Sequence, residues 1–241
     1  MPEPSSFAEQ PIVIFGGFLS FPEVYSGMRD TLAEITRQPV WIVEARTHDW
    51  IRSATLEGWG RLLRKLEHAV HQAMRHSTTG KVTLIGHSAG GVMSRLYLSP
   101  MPLLGHVYRG LDYITHLITL GSPHYNQRGG MRRQWVEDQV PGSYFAPQVR
   151  YTSVAGKVIR GKRHGSLRER WAYRFYKQLC GDGHAWGDGL VPVASQLLNG
   201  SQQIVLEGVS HFTGFGGPWY GTEKVIHRWW NAGTGGNEPG G

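Results

Sequence analysis

The chain has one cysteine, Cys180, in 241 residues. An internal disulfide is therefore excluded, and so is a zinc site built on paired cysteines. No His-Glu-x-x-His segment occurs, which removes a common zinc-hydrolase pattern. No apolar run approaches the roughly 18 residues that a membrane span needs. The first residues, MPEPSSFAEQ, have neither a basic start nor an apolar stretch, so no secretory leader is expected. Internal repeats are absent. Excess charge is also missing from most of the chain. Residues 150–177 carry nine Lys and Arg against one acid, Glu169, and are net +8, while the remainder is close to neutral. The charge is thus a patch in the sequence.

What is present is the composition of an ordinary globular domain, 40% hydrophobic and 18% charged. Short apolar runs recur: Pro11–Gly17, Val40–Ala45, 81–86 (KVTLIG), His116–Pro123, Arg150–Gly156 and Gln202–Gly208. Between them lie segments of helical period. Val24, Met28, Leu32 and Ile35 are spaced by three and four within Phe21–Ile35. Trp59, Leu62, Leu63, Leu66, Val70, Ala73 and Met74 form a longer stripe. A helix is expected from Ser88 to the stop at Pro100, and a last one over Glu223–Trp230. Apolar strands alternating with helices predict an α/β class protein, a mostly parallel sheet covered on both faces. One domain is expected over residues 10–231, with flexible tails at 1–9 and 232–241. Residues 122–149 and 157–187 exceed a minimal strand–helix rhythm and are expected to be cap or lid insertions.

The most informative stretch is VTLIGHSAGG, Val82–Gly91. A strand that turns sharply into a helix brings the residues two before and two after the turn too close for a Cβ. Glycines at 86 and 90 meet that demand around Ser88. The resulting Gly-x-Ser-x-Gly elbow presents a serine hydroxyl above the sheet edge, at a helix N-terminus that favours negative charge. Such a serine needs a base, and the base an orienting acid.

The histidines downstream are His106, His116, His124, His164, His184, His211 and His227. His211 directly follows the last apolar strand, at the end where ligand loops gather, and is the preferred base. GDGHAWGDGLVP offers Asp182 and Asp188. Asp188 is preferred because the chain turns down through Val191 and Pro192 after it, leaving Asp182 to turn chemistry. Oxyanion donors are expected in the backbone N–H of Ala89, after the serine, and of Phe18, after Gly16-Gly17.

PIVIFGGF, GHSAGG, ITLGSPH, GDGLVP and VSHF, in this order, resemble the lipases and esterases of the α/β-hydrolase superfamily over about residues 10–230. The resemblance implies the α/β-hydrolase fold, a Ser88–Asp188–His211 triad and oxyanion donors at Phe18 and Ala89. Many such lipases carry His-Gly where this chain has Gly16-Gly17. GGFLSFPEVY and LITLGSPH further resemble lipase-like hydrolases of cyanobacteria and plastids, which implies acylglycerol or galactolipid deacylation. A cytoplasmic location, peripheral to an internal membrane of thylakoid type, goes with it.

The basic segment contains SLRERWAYRFYKQLC, Ser166–Cys180, which opens with a capping box, Ser166 and Glu169. Leu167, Trp171, Phe175 and Leu179 repeat every four residues, with Arg168, Arg170, Arg174 and Lys177 on the other faces. Two readings are compatible: a basic amphipathic helix resting on an anionic membrane surface, and a cap helix packed over the active site. The expected partner is a lipid or small ester, with no nucleic acid, no obligate protein partner, no cofactor and no metal. The expected activity is hydrolysis of carboxylic esters, with glycerolipids, galactolipids among them, as the expected substrates. An acyltransferase on the same residues and a non-catalytic lipid-binding protein are the rivals.

Overall fold

The computed structural model describes residues 10–125, 131–213 and 215–234, without the side chains of residues 131–134. Of the expected tails, residues 1–9 and 235–241 lie outside the described residues, while 232–234 belong to the last helix and are no tail.

Six strands form one sheet: β1 (Ile12–Phe15), β2 (Val40–Ile42), β3 (Val82–His87), β4 (Ile114–Leu120), β5 (Arg150–Lys157) and β8 (Gln202–Glu207). Their spatial order is β2-β1-β3-β4-β5-β8, and every pair is parallel. Side chains alternate between the two faces of a strand, and here both faces are covered. Val13, Phe15 and Leu84 face one core with α3 (Leu56–Met74) and α4 (Ala89–Leu98). Ile12, Ile14 and Ile85 face a second core with α1 (Ser26–Thr36) and α8 (Glu223–Thr234). That is why the central strands read as unbroken apolar runs. β8 is the exception. It is an edge strand, and only Leu206 within it is buried.

Local chemistry sets the element ends. The α3 N-terminus is capped by Thr55, whose hydroxyl accepts from Gly58 N at 3.2 Å. The first predicted helix is interrupted. Pro22–Tyr25 is a 3-10 turn, and α1 starts only at Ser26. The tighter turn changes which residues face inward, so Tyr25 is buried while Val24 is exposed. The second strand ends at Ile42 and not at Ala45, and α8 runs four residues past Trp230.

The 122–149 segment holds α5 (Met131–Gln139), joined to α4 by Arg95 Nη2 and Glu137 Oε2 at 2.6 Å. The 157–187 segment holds β6 (Ile159–Arg160), α6 (Leu167–Cys180) and β7 (Trp186–Gly187), with β6 and β7 antiparallel. Short α2 (Thr47–Arg52) and α7 (Val193–Gln196) complete the elements. The strand order reverses between β1 and β3, so the loops leaving their carboxyl ends part and open a crevice.

Candidate active site

The loops that leave β1 and β3 at this crevice carry Gly16-Gly17 and Ser88. Ser88 has φ 53° and ψ −126°, a strained conformation for a residue with a side chain. Glycine is required around it by direct contact. A Cβ on Gly86 would stand 2.4 Å from Gly91 Cα, and one on Gly90 2.3 Å from Phe15 O. The β1 loop presses on the serine itself, since a Cβ on Gly17 would lie 2.7 Å from Ser88 Cβ. The Ser88 hydroxyl is thereby held half-buried at the start of α4.

The structure brings Ser88, His211 and Asp188 together. His211 Nε2 is 3.0 Å from Ser88 Oγ, and His211 Nδ1 is 2.7 Å from Asp188 Oδ2. The backbones are also joined, with His211 N donating to Asp188 O at 2.8 Å. His211 is 3% exposed and Asp188 fully buried. A buried carboxylate is tolerated only when its oxygens are supplied with donors. Oδ1 accepts from Leu190 N at 3.1 Å and Val191 N at 2.8 Å, because the loop turns through Gly189 at φ 105°. Oδ2 accepts from His211 and from Tyr220 Oη at 2.9 Å. Burial and the Asp188 charge push the Tyr220 phenol well above its ordinary pKa, so it keeps the proton it donates. Gly156 N donates to Tyr220 Oη at 2.7 Å, and Gln196 Oε1 lies 2.8 Å from it. Asp182, the rejected candidate, accepts from His184 N at 2.8 Å within its own exposed turn.

Ala89 is the first residue of α4, and Phe18 follows the Gly17 contact with its ring exposed near Trp50. Neither N–H donates to another group among the described residues.

The remaining expected residues lie on α6. Its capping box forms, with Glu169 N donating to Ser166 Oγ at 3.4 Å and Ser166 N to Glu169 Oε2 at 2.7 Å. The helix does not bury the stripe that its period singles out. Ala172 and Tyr176 face inward, while Leu167 is 70% and Trp171 47% exposed. Trp171 and Phe175 stack at 5.9 Å, and Arg174 lies over the Trp171 ring. Arg168, Arg170, Arg174 and Lys177 are exposed. Arg163, His164, Arg170, Tyr173 and Arg174 line a cavity of about 530 Å³. The inner side of α6 reaches the acid's loop, where Tyr176 Oη accepts from Gly189 N at 2.8 Å.

Sequence reasoning passed over Tyr25, His87, Tyr176, Gln196 and Tyr220. Each acts through a contact far away in sequence, and the one local signal was a burying aromatic beside a glycine turn. The other histidines are placed elsewhere. His116 Nε2 lies 2.9 Å from Thr152 Oγ1 inside the sheet, and His106 pairs with Glu67 on the surface. Among the described residues no helix is long and apolar enough to cross a membrane.

No protein-family profile matches this sequence, and no curated protein matches it. Solved structures do. Est1E from Butyrivibrio proteoclasticus superposes with a TM-score of 0.51 at 16% identity, over 92% of this chain and 88% of that one. A protein assigned to the α/β hydrolase superfamily from Xanthomonas campestris pv. campestris has a TM-score of 0.49 at 14% identity, over 94% and 96%. The fold is the α/β-hydrolase fold. At these identities the likeness is one of fold, and the chemistry has to be argued from the site.

Proposed function

We propose that this protein is a serine hydrolase of carboxylic esters that works through an acyl-enzyme. The observation that carries the reading is the hydrogen-bonded line Ser88 Oγ, His211 Nε2, His211 Nδ1 and Asp188 Oδ2, at 3.0 and 2.7 Å. Ser88 Oγ attacks the acyl carbonyl and gives its proton to His211 Nε2. Asp188 fixes the imidazole with Nδ1 protonated and stabilises its charged form. The N–H groups of Phe18 and Ala89 receive the oxyanion. The C–O bond breaks, and His211 returns the proton to the leaving alcohol. Water, deprotonated by His211, then adds to the acyl-serine, and collapse releases the acid and Ser88.

Glycerolipids, galactolipids among them, are the substrates that the surroundings favour. Phe18, Phe21, Leu167, Trp171 and Phe212 are large apolar side chains exposed on segments that follow the carboxyl ends of β1, β5 and β8. The exposed arginines of α6 suit anionic lipid, and peripheral contact with an anionic membrane is part of this reading.

The test is hydrolysis of a short soluble ester taken across its solubility limit, beside dispersed galactolipid and triacylglycerol. Wild type should release acid, label covalently with a fluorophosphonate, and lose both properties on Ser88→Ala, the rate falling by roughly 10⁴-fold or more. Ser88→Ala that keeps most of the activity overturns the reading. Ester formation with an added alcohol, in place of acid release, would make the protein an acyltransferase.

A further inference from the structure

Directly before the nucleophile lies a histidine that the reaction above does not use. His87 is 5% exposed and enclosed by Tyr25, His211, Trp219 and Tyr220, whose ring centroids lie 4.8–5.8 Å from its own. Both of its ring nitrogens have partners. Tyr25 Oη is 2.8 Å from His87 Nδ1, and His211 O is 3.2 Å from His87 Nε2. Gly17 N donates to the same Tyr25 Oη at 2.9 Å.

The carbonyl at one end of this line fixes its protons. A carbonyl can only accept, so His87 Nε2 carries the hydrogen and donates to His211 O. In a neutral imidazole Nδ1 is then the acceptor, and Tyr25 Oη, which accepts from Gly17 N, gives its own proton to it. His87 is a neutral imidazole in its Nε2–H form. Burial, with the nearby His211 adding to it, drives its pKa well below the ordinary histidine value.

We propose that Tyr25 and His87 are positioning residues for the reaction assigned to Ser88, an inference that rests on that assignment. One end of the line holds the backbone just before Phe18, an oxyanion donor. The other holds the backbone of the base, His211. These two parts of the site come from opposite ends of the chain, and this line joins them behind the nucleophile. It also accounts for Gly16-Gly17 where similar lipases have His-Gly. A Cβ on Gly16 would stand 2.5 Å from Tyr25 Cε2, so the tyrosine ring takes the room that a side chain at residue 16 would need. Neither residue touches the reacting atoms. Their effect is to keep donor and base at fixed separation, where misplacement of about 1 Å can cost about 100-fold in rate.

The experiment is a kinetic cycle of Tyr25→Phe, His87→Leu, the double variant, and His87→Gln, read beside the nitrogen resonances of His87. Tyr25→Phe and His87→Leu should each lower kcat by about 10- to 100-fold with KM within about threefold. The double variant should be no worse than the poorer single one, because both break one line. His87→Gln offers an acceptor and a donor again and should recover most of the loss. Wild-type His87 should show the neutral Nε2–H form from about pH 5 to about pH 9. The titratable groups that face it are His211, Tyr25 and Tyr220, with Asp188 behind His211. Losses that add, a Tyr25→Phe enzyme with wild-type kcat, or a His87 that takes up a proton in this range would overturn the proposal. The resonance measurement needs no turnover. A protein with the expected His87 signal but no ester hydrolysis would sink the proposed function, and an active one with the wrong signal would sink the line.

Discussion

Helices α3 and α6 look alike in sequence and behave differently in the fold. Both begin with a hydroxyl cap and both carry an apolar stripe with basic residues around it. α3 buries the body of its stripe: Leu62, Leu63, Leu66 and Val70 have no exposed surface, and Met74 at the end is partly buried. α6 leaves Leu167 and Trp171 outside and turns Ala172 and Tyr176 to the protein. Period shows that a helix has a sided surface. It does not show which side the protein will use, because that depends on what lies opposite. α3 lies on a sheet face of Val and Leu. Opposite α6 lie β6 and the turn after Asp188, whose Gly189 N–H needs an acceptor, and a tyrosine that can both pack and accept a hydrogen bond suits them better than leucine.

The difference can be sharpened by substitution. Leu66→Ala in α3 should have the largest effect on stability, about 2–5 kcal/mol in denaturant unfolding, since it empties a packed site. A cost below about 1 kcal/mol would mean that this core is looser than its burial implies. Tyr176→Phe should come next, because the buried Gly189 N–H loses its acceptor at about 1–3 kcal/mol. It should also lower kcat through the Asp188 loop, while unchanged stability and rate would leave α6 without its anchor role. The two caps should be nearly equal. Thr55→Ala and Ser166→Ala should each cost about 1 kcal/mol, as monitored by thermal unfolding.

A smaller effect is set by pH. The hydrogen bond from Lys162, then those from Ser166, lower the Glu169 carboxyl from 4.5 to about 2. A lowered folded-state pKa stabilises the fold above the unfolded value, and that contribution disappears as pH falls from about 4.5 towards about 2. Glu169→Gln should flatten this part of the stability profile, and an identical profile would show that the box adds nothing. Trp171→Ala should change stability least, within about 0.5 kcal/mol. It should nonetheless weaken action on lipid dispersions relative to the soluble ester, and equal losses on both would remove lipid contact from its role.

The alternation of strands and helices was legible because each core strand meets apolar layers on both faces. Ser88 was legible because the demand for glycine around an elbow is met within five residues. Asp188 and His211 could be nominated from their places after strand ends, and the structure sets them in hydrogen-bond reach of one another and of Ser88. Tyr25 was hidden by a 3-10 turn that moves it inward in place of Val24. His87 and Tyr220 were hidden because their partners lie far along the chain, Tyr25 and Asp188 respectively. No spacing rule connects such positions. The inner face of α6 stayed hidden for the reason already given, since what it meets is a turn and the short strand β6, not the face of the main sheet.

The bond from Gly189 N to Tyr176 Oη reaches further than its single 2.8 Å contact suggests. The Asp188 loop and the helix that lines the basic cavity share a tether one residue from Asp188. An α6 that swung outward would take that tether with it. Any change made to the helix therefore carries a constraint: position 176 has to keep an oxygen facing the turn, or the setting of the Asp188 carboxylate changes with it.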